Sequence, residues 1–218
     1  MNRLRQEQKE QKPRGEERRD ALENRQSLLQ TAERLFTERG IDAVTMTDIA
    51  REAGFGQGTL YRHFAHKGKL LNALLLPHFQ RFQEQAMANF GYDEETTNPV
   101  QLLHLFLTKY VDFIEEHTVY LQAFYTAYQA QGGFEWYQCV AHQWNKERTT
   151  YYLQHAITVG ACRADLDSAY IADALLATVQ VDLYLYQRHV LGWSVERIVS
   201  SLAQLVEGLA KHPFHPLL

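Results

Sequence analysis

The sequence predicts an all-α protein in which a small N-terminal helical domain is joined by a long helix to a larger helical domain. Three observations lead there. Apolar residues recur at three-, four- and seven-residue spacing along most of the 218-residue chain, and no run alternates with period two. Two very short apolar patterns flank Gly54-Phe55-Gly56, so two short helices follow one another across a glycine turn and cannot be collinear. Charge is divided unevenly: the first 70 residues carry 14 Lys and Arg against 11 Asp and Glu, and the rest carry 8 against 15. The net charge of -4 therefore conceals a basic front third, where a polyanionic partner would meet the chain, and an acidic remainder.

Residues 1–17 are rich in Gln, Glu, Lys and Arg, with Leu4 the single large apolar side chain after Met1. They read as a disordered, solvated tail whose balanced charges argue against an arm that touches nucleic acid. Residues 18–66 read as the small domain. In its first helix, Glu17 to Arg39, the stripe Leu22, Leu28, Leu29, Ala32, Leu35 and Phe36 ends at Gly40, the expected left-handed stop. The second, Thr47 to Ala53, sets Ile49, Ala50 and Ala53 on one side; the third carries Thr59-Leu60-Tyr61 followed by Phe64.

Residues 67–218 read as the larger domain. A long helix opens near Lys67 and runs toward Asn89 on Leu70, Leu71, Leu74, Leu75, Phe79 and Phe82. Pro77 lies inside it and predicts a kink, because proline lacks an N–H and collides with the preceding turn; a conformational hinge would be focused there. Beyond the breaker Gly91 to Pro99, helices are predicted over 99–117, 119–130, 134–159, 168–190 and 194–211. The last has Ser194 as N-cap and an apolar stripe from Val195 through Ile198, Leu202 and Val206 to Leu209, which calls for a partner helix.

Several classes are excluded by the same reading. With 45% hydrophobic and 22% charged residues the chain is neither disordered nor fibrous. Cys139 and Cys162 lie too far apart in sequence for a zinc knuckle or redox pair. His63 and His66 straddle a helix boundary without a third ligand, so no metal and no cofactor is expected. There is no apolar leader and no span approaching about 18 apolar residues, which points to the cytoplasm and to no membrane partner. No Ser-His-Asp spacing, H-E-x-x-H, P-loop or G-x-G-x-x-G after a strand occurs, so an enzyme is not expected.

Thr45 to Leu71 reads TMTDIAREAGFGQGTLYRHFAHKGKLL. A B-DNA major groove about 12 Å wide admits one helix, so the third helix can enter it while the second braces across the phosphates. Gln57 at its start can pair with the N6 and N7 of adenine, and Thr59 can meet a base edge, a thymine methyl or a phosphate; Leu60 faces the core. Thr45 and Thr47 serve as N-cap, as phosphate contacts, or as both. Tyr61, His63 and Lys67 are placed for the backbone on the far side, and Gly58 and Arg62 complete the expected DNA-facing set.

These residues resemble the DNA-binding domain of the TetR family of transcriptional regulators. The likeness rests on the first helix ending LFTERG, the T-x-T-D-I-A-x-x-A-G of the second, the G-T-L-Y-x-x-F of the third, and Lys67 with Leu70 and Leu71 opening the fourth. It extends from about Leu22 to Leu75. Departures are Gly56, where a capping residue is common, and Gly68, where an acidic residue often follows the lysine.

The resemblance implies a ligand-responsive regulator, a repressor that binds a palindromic double-stranded DNA operator as a homodimer and is released by a hydrophobic or aromatic small molecule. It implies that the larger domain binds this effector and dimerises through the last two helices. A palindrome read by one helix per subunit, with the helices about 34 Å apart, itself requires a dimer. A dimeric DNA-binding regulator that lacks an inducer, or that activates, is the alternative, and a helical enzyme a remote one. The middle of the chain is crowded with aromatic residues that either pack as core or line a pocket, and Phe106, Tyr110, Phe113, Phe124, Tyr128 and Trp144 are the candidates. His104, Gln122, His142, Gln143, Gln180 and Asp182 are candidate polar anchors, and Asp182 in the site would favour a cationic ligand.

Overall fold

The computed structural model describes residues 14–89, 98–130 and 136–210. Most of the predicted tail, most of the breaker Gly91 to Pro99 and the predicted start of the 134–159 helix lie outside the described residues. The described residues are helical throughout, apart from turns and one isolated pairing of Cys162 with Ala210. None of the described helices is long and apolar enough to cross a membrane. The chain divides into two compact units, Met1–Leu70 and Leu71–Leu218, a division that falls inside a helix and slightly beyond the boundary read from the sequence.

In the first unit, α1 (Arg14–Arg39) begins within the predicted tail and buries Leu28, Ala32, Leu35 and Phe36. Packed on it is α2 (Met46–Glu52), burying Met46, Ile49 and Ala50, and on α2 packs α3 (Gln57–His63), burying Leu60. Each short helix contributes few intrahelical hydrogen bonds, so its stability comes from this shared apolar core rather than from propensity. A capping box starts α2: Thr45 Oγ1 accepts from the Asp48 N–H while the Asp48 carboxylate accepts from the Thr45 N–H. A Schellman motif ends it, with Phe55 N–H donating to Ala50 O and Gly54 N–H to Arg51 O. Gly54 sits at φ +75°, a conformation that glycine adopts without a Cβ penalty, and the chain reverses there into α3.

α4 (Lys67–Asn89) runs as one helix through Pro77. The departure from helical dihedrals comes instead in α5 (Pro99–Gln129), at His117 (φ -112°, ψ 18°), where the sequence predicted two helices meeting. α6 (Val140–Thr158) starts after a turn at 136–139, later than predicted, with Cys139 as N-cap. The predicted 168–190 helix is three pieces: α7 (Ser168–Thr178), α8 (Val181–Leu185) and a π-helical turn over Tyr186–Val190. The break falls at Val179 and Gln180, where β-branched residues flank a glutamine in extended conformation. α9 (Val195–Glu207) follows, capped by Ser194.

The core of the second unit is an aromatic cluster. Phe82 packs against Phe106, Phe113 and Trp144, and Phe106 against Tyr152, with ring centroids 5.2 to 6.1 Å apart. The stripe of α9 buries Ile198, Leu202 and Val206 within this chain, where α9 packs on α5. These three positions of the stripe are therefore covered within the chain. A polar tie secures the same region: Glu115 on α5 accepts from the Tyr184 hydroxyl and from Arg188 Nη2 at 2.7 Å, and Arg188 also donates to Trp193 O.

Candidate functional site

Thr47 and Gln57 lie on exposed faces of α2 and α3, and Gln57 Nε2 donates to Thr47 Oγ1 at 3.1 Å. Gly58, Tyr61 and Arg62 are also exposed, one and four to five residues along α3 from Gln57, so they share its outer face; Tyr61 is 47% exposed despite its size. Thr59 is half-buried and Leu60 fully buried. Gly56 supplies no side-chain cap to α3, as its lack of a side chain dictates. The outer face of α3 thus carries an amide, a phenol and a guanidinium on a scaffold of seven residues.

Three further predicted contact residues, Thr45, Lys67 and His63, are turned toward the domain itself. The Thr45 hydroxyl donates to Asp48 Oδ2 at 2.6 Å while accepting from its N–H, so its capping role uses its proton. Thr45 in turn holds the Asp48 carboxyl below the ordinary Asp value. Lys67 is engaged more fully. Its ammonium donates to Ile41 O and Val44 O and lies 5.7 Å from the Phe36 ring, which leaves it one N–H and ties the α1–α2 connector to the start of α4. Burial pulls its pKa down, against a raising influence from Asp42. His63 is half-buried with Nε2 turned inward, without a hydrogen-bond partner among the described residues; burial, then Arg62 and Arg25, lower its pKa and keep it neutral. Neither side chain is presented as a free cation for a phosphate.

Within the second unit a cavity of about 450 Å³ lies between α5, α6 and α7. Tyr110, Trp136 and Tyr137 form its aromatic wall, Leu176 and Ala177 its aliphatic one; His142, Gln143 and Gln180 are its polar lining, with Lys146 and Asp173. Burial, with Cys139 nearby, pushes the Tyr110 phenol well above its ordinary range, and a hydrogen bond from the Asn145 side chain opposes this. Lys146 Nζ lies 2.7 Å from Asp173 Oδ2, joining α6 to α7. A smaller cavity of about 330 Å³ lies between α4 and α5 beside Phe82, Phe113 and the rings of His78 and His117, which meet tilted at 60° with centroids 4.6 Å apart.

The predicted ligand residues divide accordingly. Tyr110 lines the larger cavity and Phe113 the smaller. Phe106, Phe124 and Tyr128 are buried core, and Trp144 packs on Phe79, Phe82 and Phe106, because each points along the helix face that meets other rings. Asp182 is exposed in the first turn of α8, accepting from the Tyr125 hydroxyl at 3.2 Å, and does not line the cavity. Of the polar anchors, His142, Gln143 and Gln180 are in the lining. Lys146 and Asp173 were not singled out from the sequence; on separate helices, they carried no spacing signal.

A capped short helix, a left-handed glycine turn and a second short helix with an exposed polar face define a helix-turn-helix protein. Residues 28–74 match the family model described as bacterial regulatory proteins, tetR family. An HTH-type transcriptional regulator of Staphylococcus aureus is 38% identical over 80 residues, covering 34% of this chain and 43% of that protein. The chain thus spans less than half the length of the curated relatives it matches. Similar solved structures include the ketosteroid transcriptional regulator KstR2 of Mycobacterium tuberculosis (TM-score 0.55, 24% identity, 86% of this chain and 95% of that one). Another is Thermus thermophilus FadR, a TetR-family repressor in complex with lauroyl-CoA (TM-score 0.64, 17% identity, 89% and 98%). A third is a transcriptional regulator from Saccharomonospora viridis in complex with choline (TM-score 0.63, 21% identity, 88% and 100%). Residues 28–74 therefore carry the DNA-binding domain that this family model describes, and the fold of the rest is similar to that of solved TetR-family regulators.

Proposed function

We propose that the protein is a homodimeric DNA-binding repressor that reads a palindromic operator with α3 and is released when a hydrophobic or aromatic small molecule fills the cavity between α5, α6 and α7. The observation that carries the reading is the Gln57 amide held by Thr47 on an otherwise unobstructed outer face of α3. It keeps Oε1 and one N–H available, the pair that a bidentate contact with adenine requires. The exposed Arg62 and Tyr61 supply phosphate contacts, as does the Thr47 hydroxyl beside Gln57. Lys67 and Thr45 act by holding the scaffold.

Dimerisation is supported by the apolar residues left exposed on the last helices: Leu183, Tyr186, Val190, Leu191 and Leu205. They complement the intramolecular stripe of α9 rather than repeating it. An effector role for the cavity is supported by its size, its mixed lining and the ligands, lauroyl-CoA and choline, found with two proteins of the same fold. A ligand changes operator affinity only through different affinity for two conformations of the dimer; a hundredfold preference weakens DNA binding by up to about 2.7 kcal/mol. Such a regulator works in the cytoplasm, where its DNA is.

The test is fluorescence anisotropy of purified protein on DNA flanking its own gene, across a salt series. Saturation at two subunits per site, competition by the specific sequence alone, and a steep negative salt dependence are expected. Equal, weak binding to every duplex, including one selected for affinity, would remove the reading.

A further inference from the structure

We infer that the Tyr110 hydroxyl is the specificity-determining donor of the larger cavity, and that it selects flat apolar ligands carrying a hydrogen-bond acceptor, such as a carbonyl oxygen, at their inserted end. The inference rests on the effector reading above and names the chemical class of the effector. The cavity has two unlike ends. Trp136 and Leu176 are buried, whereas Tyr137, Gln143 and Asp173 are exposed, so an apolar inner wall adjoins a polar mouth. Lys146 and Asp173 pair at that mouth in contact with solvent, and make no demand on what enters further in. Tyr110 belongs to the inner end: its ring packs on the buried Phe82 at 6.0 Å, and burial is the main influence on its phenol.

Much of the polar lining is tied to itself. Gln143 Nε2 donates to Tyr137 O, Gln180 Nε2 lies 3.5 Å from the Tyr137 hydroxyl, and the His142 ring meets the Tyr137 ring edge-on at 5.1 Å. Tyr110 differs. Its hydrogen-bond partner among the described residues is the Asn145 side chain, and that bond opposes the upward pull of burial on the phenol pKa. A bond that favours the phenolate is one the phenol oxygen accepts, so Asn145 donates. Asn145 is itself buried, and its Oδ1 has no partner among the described residues, as expected if the N–H end of the amide faces Tyr110. Burial keeps the phenol protonated at neutral pH. With Oη accepting from Asn145, the Tyr110 proton remains for a group in the cavity that Tyr110 lines.

A ring that enters against Trp136 and Leu176 takes the place of water beside this hydroxyl. If the ring brings hydrocarbon there, the donor is left unpaired; if it brings an N–H, two donors meet. A carbonyl oxygen restores the partner. The volume of about 450 Å³ is ample for a three-ring compound.

The experiment keeps the three-ring plane constant and changes one position. 9-Fluorenone carries an acceptor there, 9-methylenefluorene an isosteric hydrocarbon and carbazole an N–H donor. Their binding to the full-length protein is measured by equilibrium dialysis at neutral pH, with thermal melts confirming that each variant is folded. Wild type is expected to bind fluorenone about tenfold more tightly than carbazole. Tyr110→Phe is expected to weaken fluorenone about tenfold and to leave methylenefluorene as tight or tighter, while Tyr137→Phe, at the mouth, leaves the ratio of the two unchanged. Carbazole that binds wild type as tightly as fluorenone, a ratio unmoved by Tyr110→Phe, or one moved as far by Tyr137→Phe would overturn the role of Tyr110 and leave the effector reading standing. If none of the three bound wild type, the effector reading would fall and this inference with it.

Discussion

Gln57, the first residue of α3, is held by Thr47, the second residue of α2, through a 3.1 Å hydrogen bond from Nε2 to Oγ1. A glutamine on an exposed helix loses rotamer entropy when it binds a base edge; one that is already oriented loses less. Thr47 is in this sense a positioning residue for Gln57. Gln57→Ala is predicted to cost about 1 to 3 kcal/mol on the preferred operator and to relax discrimination at one position of each half-site. Thr47→Val keeps the shape without the hydroxyl, and is predicted to lose part of the same discrimination. Competition binding with operator variants checks both.

Arg62 and Lys67 are both cations near the candidate interface, but the structure separates their roles. Arg62 is exposed, whereas Lys67 donates to Ile41 O and Val44 O. Arg62→Ala is predicted to weaken binding to all sequences and to flatten the salt slope by about one. Lys67→Met is predicted to lower the melting temperature, because it removes the side-chain donor to Val44 O and leaves Ile41 O only the 3.3 Å bond from the Val44 N–H, and to preserve the salt slope of the protein that remains folded. Salt titrations and thermal melts on the two variants distinguish the roles.

Gly54 at φ +75° lies between α2 and α3, and the space a Cβ would occupy is open. The penalty for substitution is therefore conformational rather than steric crowding by neighbours. Gly54→Val is predicted to destabilise the first unit by about 1 to 3 kcal/mol, more than Gly54→Ala, because branching at Cβ adds to the left-handed penalty. Circular dichroism melts give the comparison.

Much of the first unit was legible because its signals are local: a capping threonine, short apolar patterns and a glycine at the turn. The tie made by Lys67 was not, since its partners are backbone oxygens 26 and 23 residues away and carry no side-chain signature. The cavity was harder still. Asp173 and Asp182 look alike in the sequence and are both exposed, yet one pairs with Lys146 across α6 and α7 and the other accepts from the Tyr125 hydroxyl. Aromatic residues at helical spacing satisfy both a packed core and a pocket wall, and only the placement of α5 against α6 assigns Phe106 to the first and Tyr110 to the second.

Glu115 receives hydrogen bonds from Arg188 and Tyr184, and the Arg188 interaction, ahead of that from Tyr184, holds its carboxyl below the ordinary Glu value of 4.5 despite some burial. A depressed folded-state pKa stabilises the fold above the unfolded value, and that contribution is lost as pH falls through the folded one. The melting temperature of wild type is thus predicted to fall, below about pH 4.5, more steeply than that of Glu115→Gln, which lacks this titration. Parallel pH series of thermal melts decide it.

If the outer face of α3 reads DNA once per subunit of a dimer, the preferred duplex must carry the symmetry of the protein, and Gln57 must leave its mark in both halves. Selection of preferred duplexes from a random-sequence pool, run side by side with wild type and Gln57→Ala, examines both points at once. Wild type is predicted to enrich a palindrome with half-sites about one helical turn apart, and Gln57→Ala to lose preference at one symmetric pair of positions. Enrichment of a single asymmetric site, or the same palindrome with undiminished preference from Gln57→Ala, would contradict a dimer that reads its operator through α3.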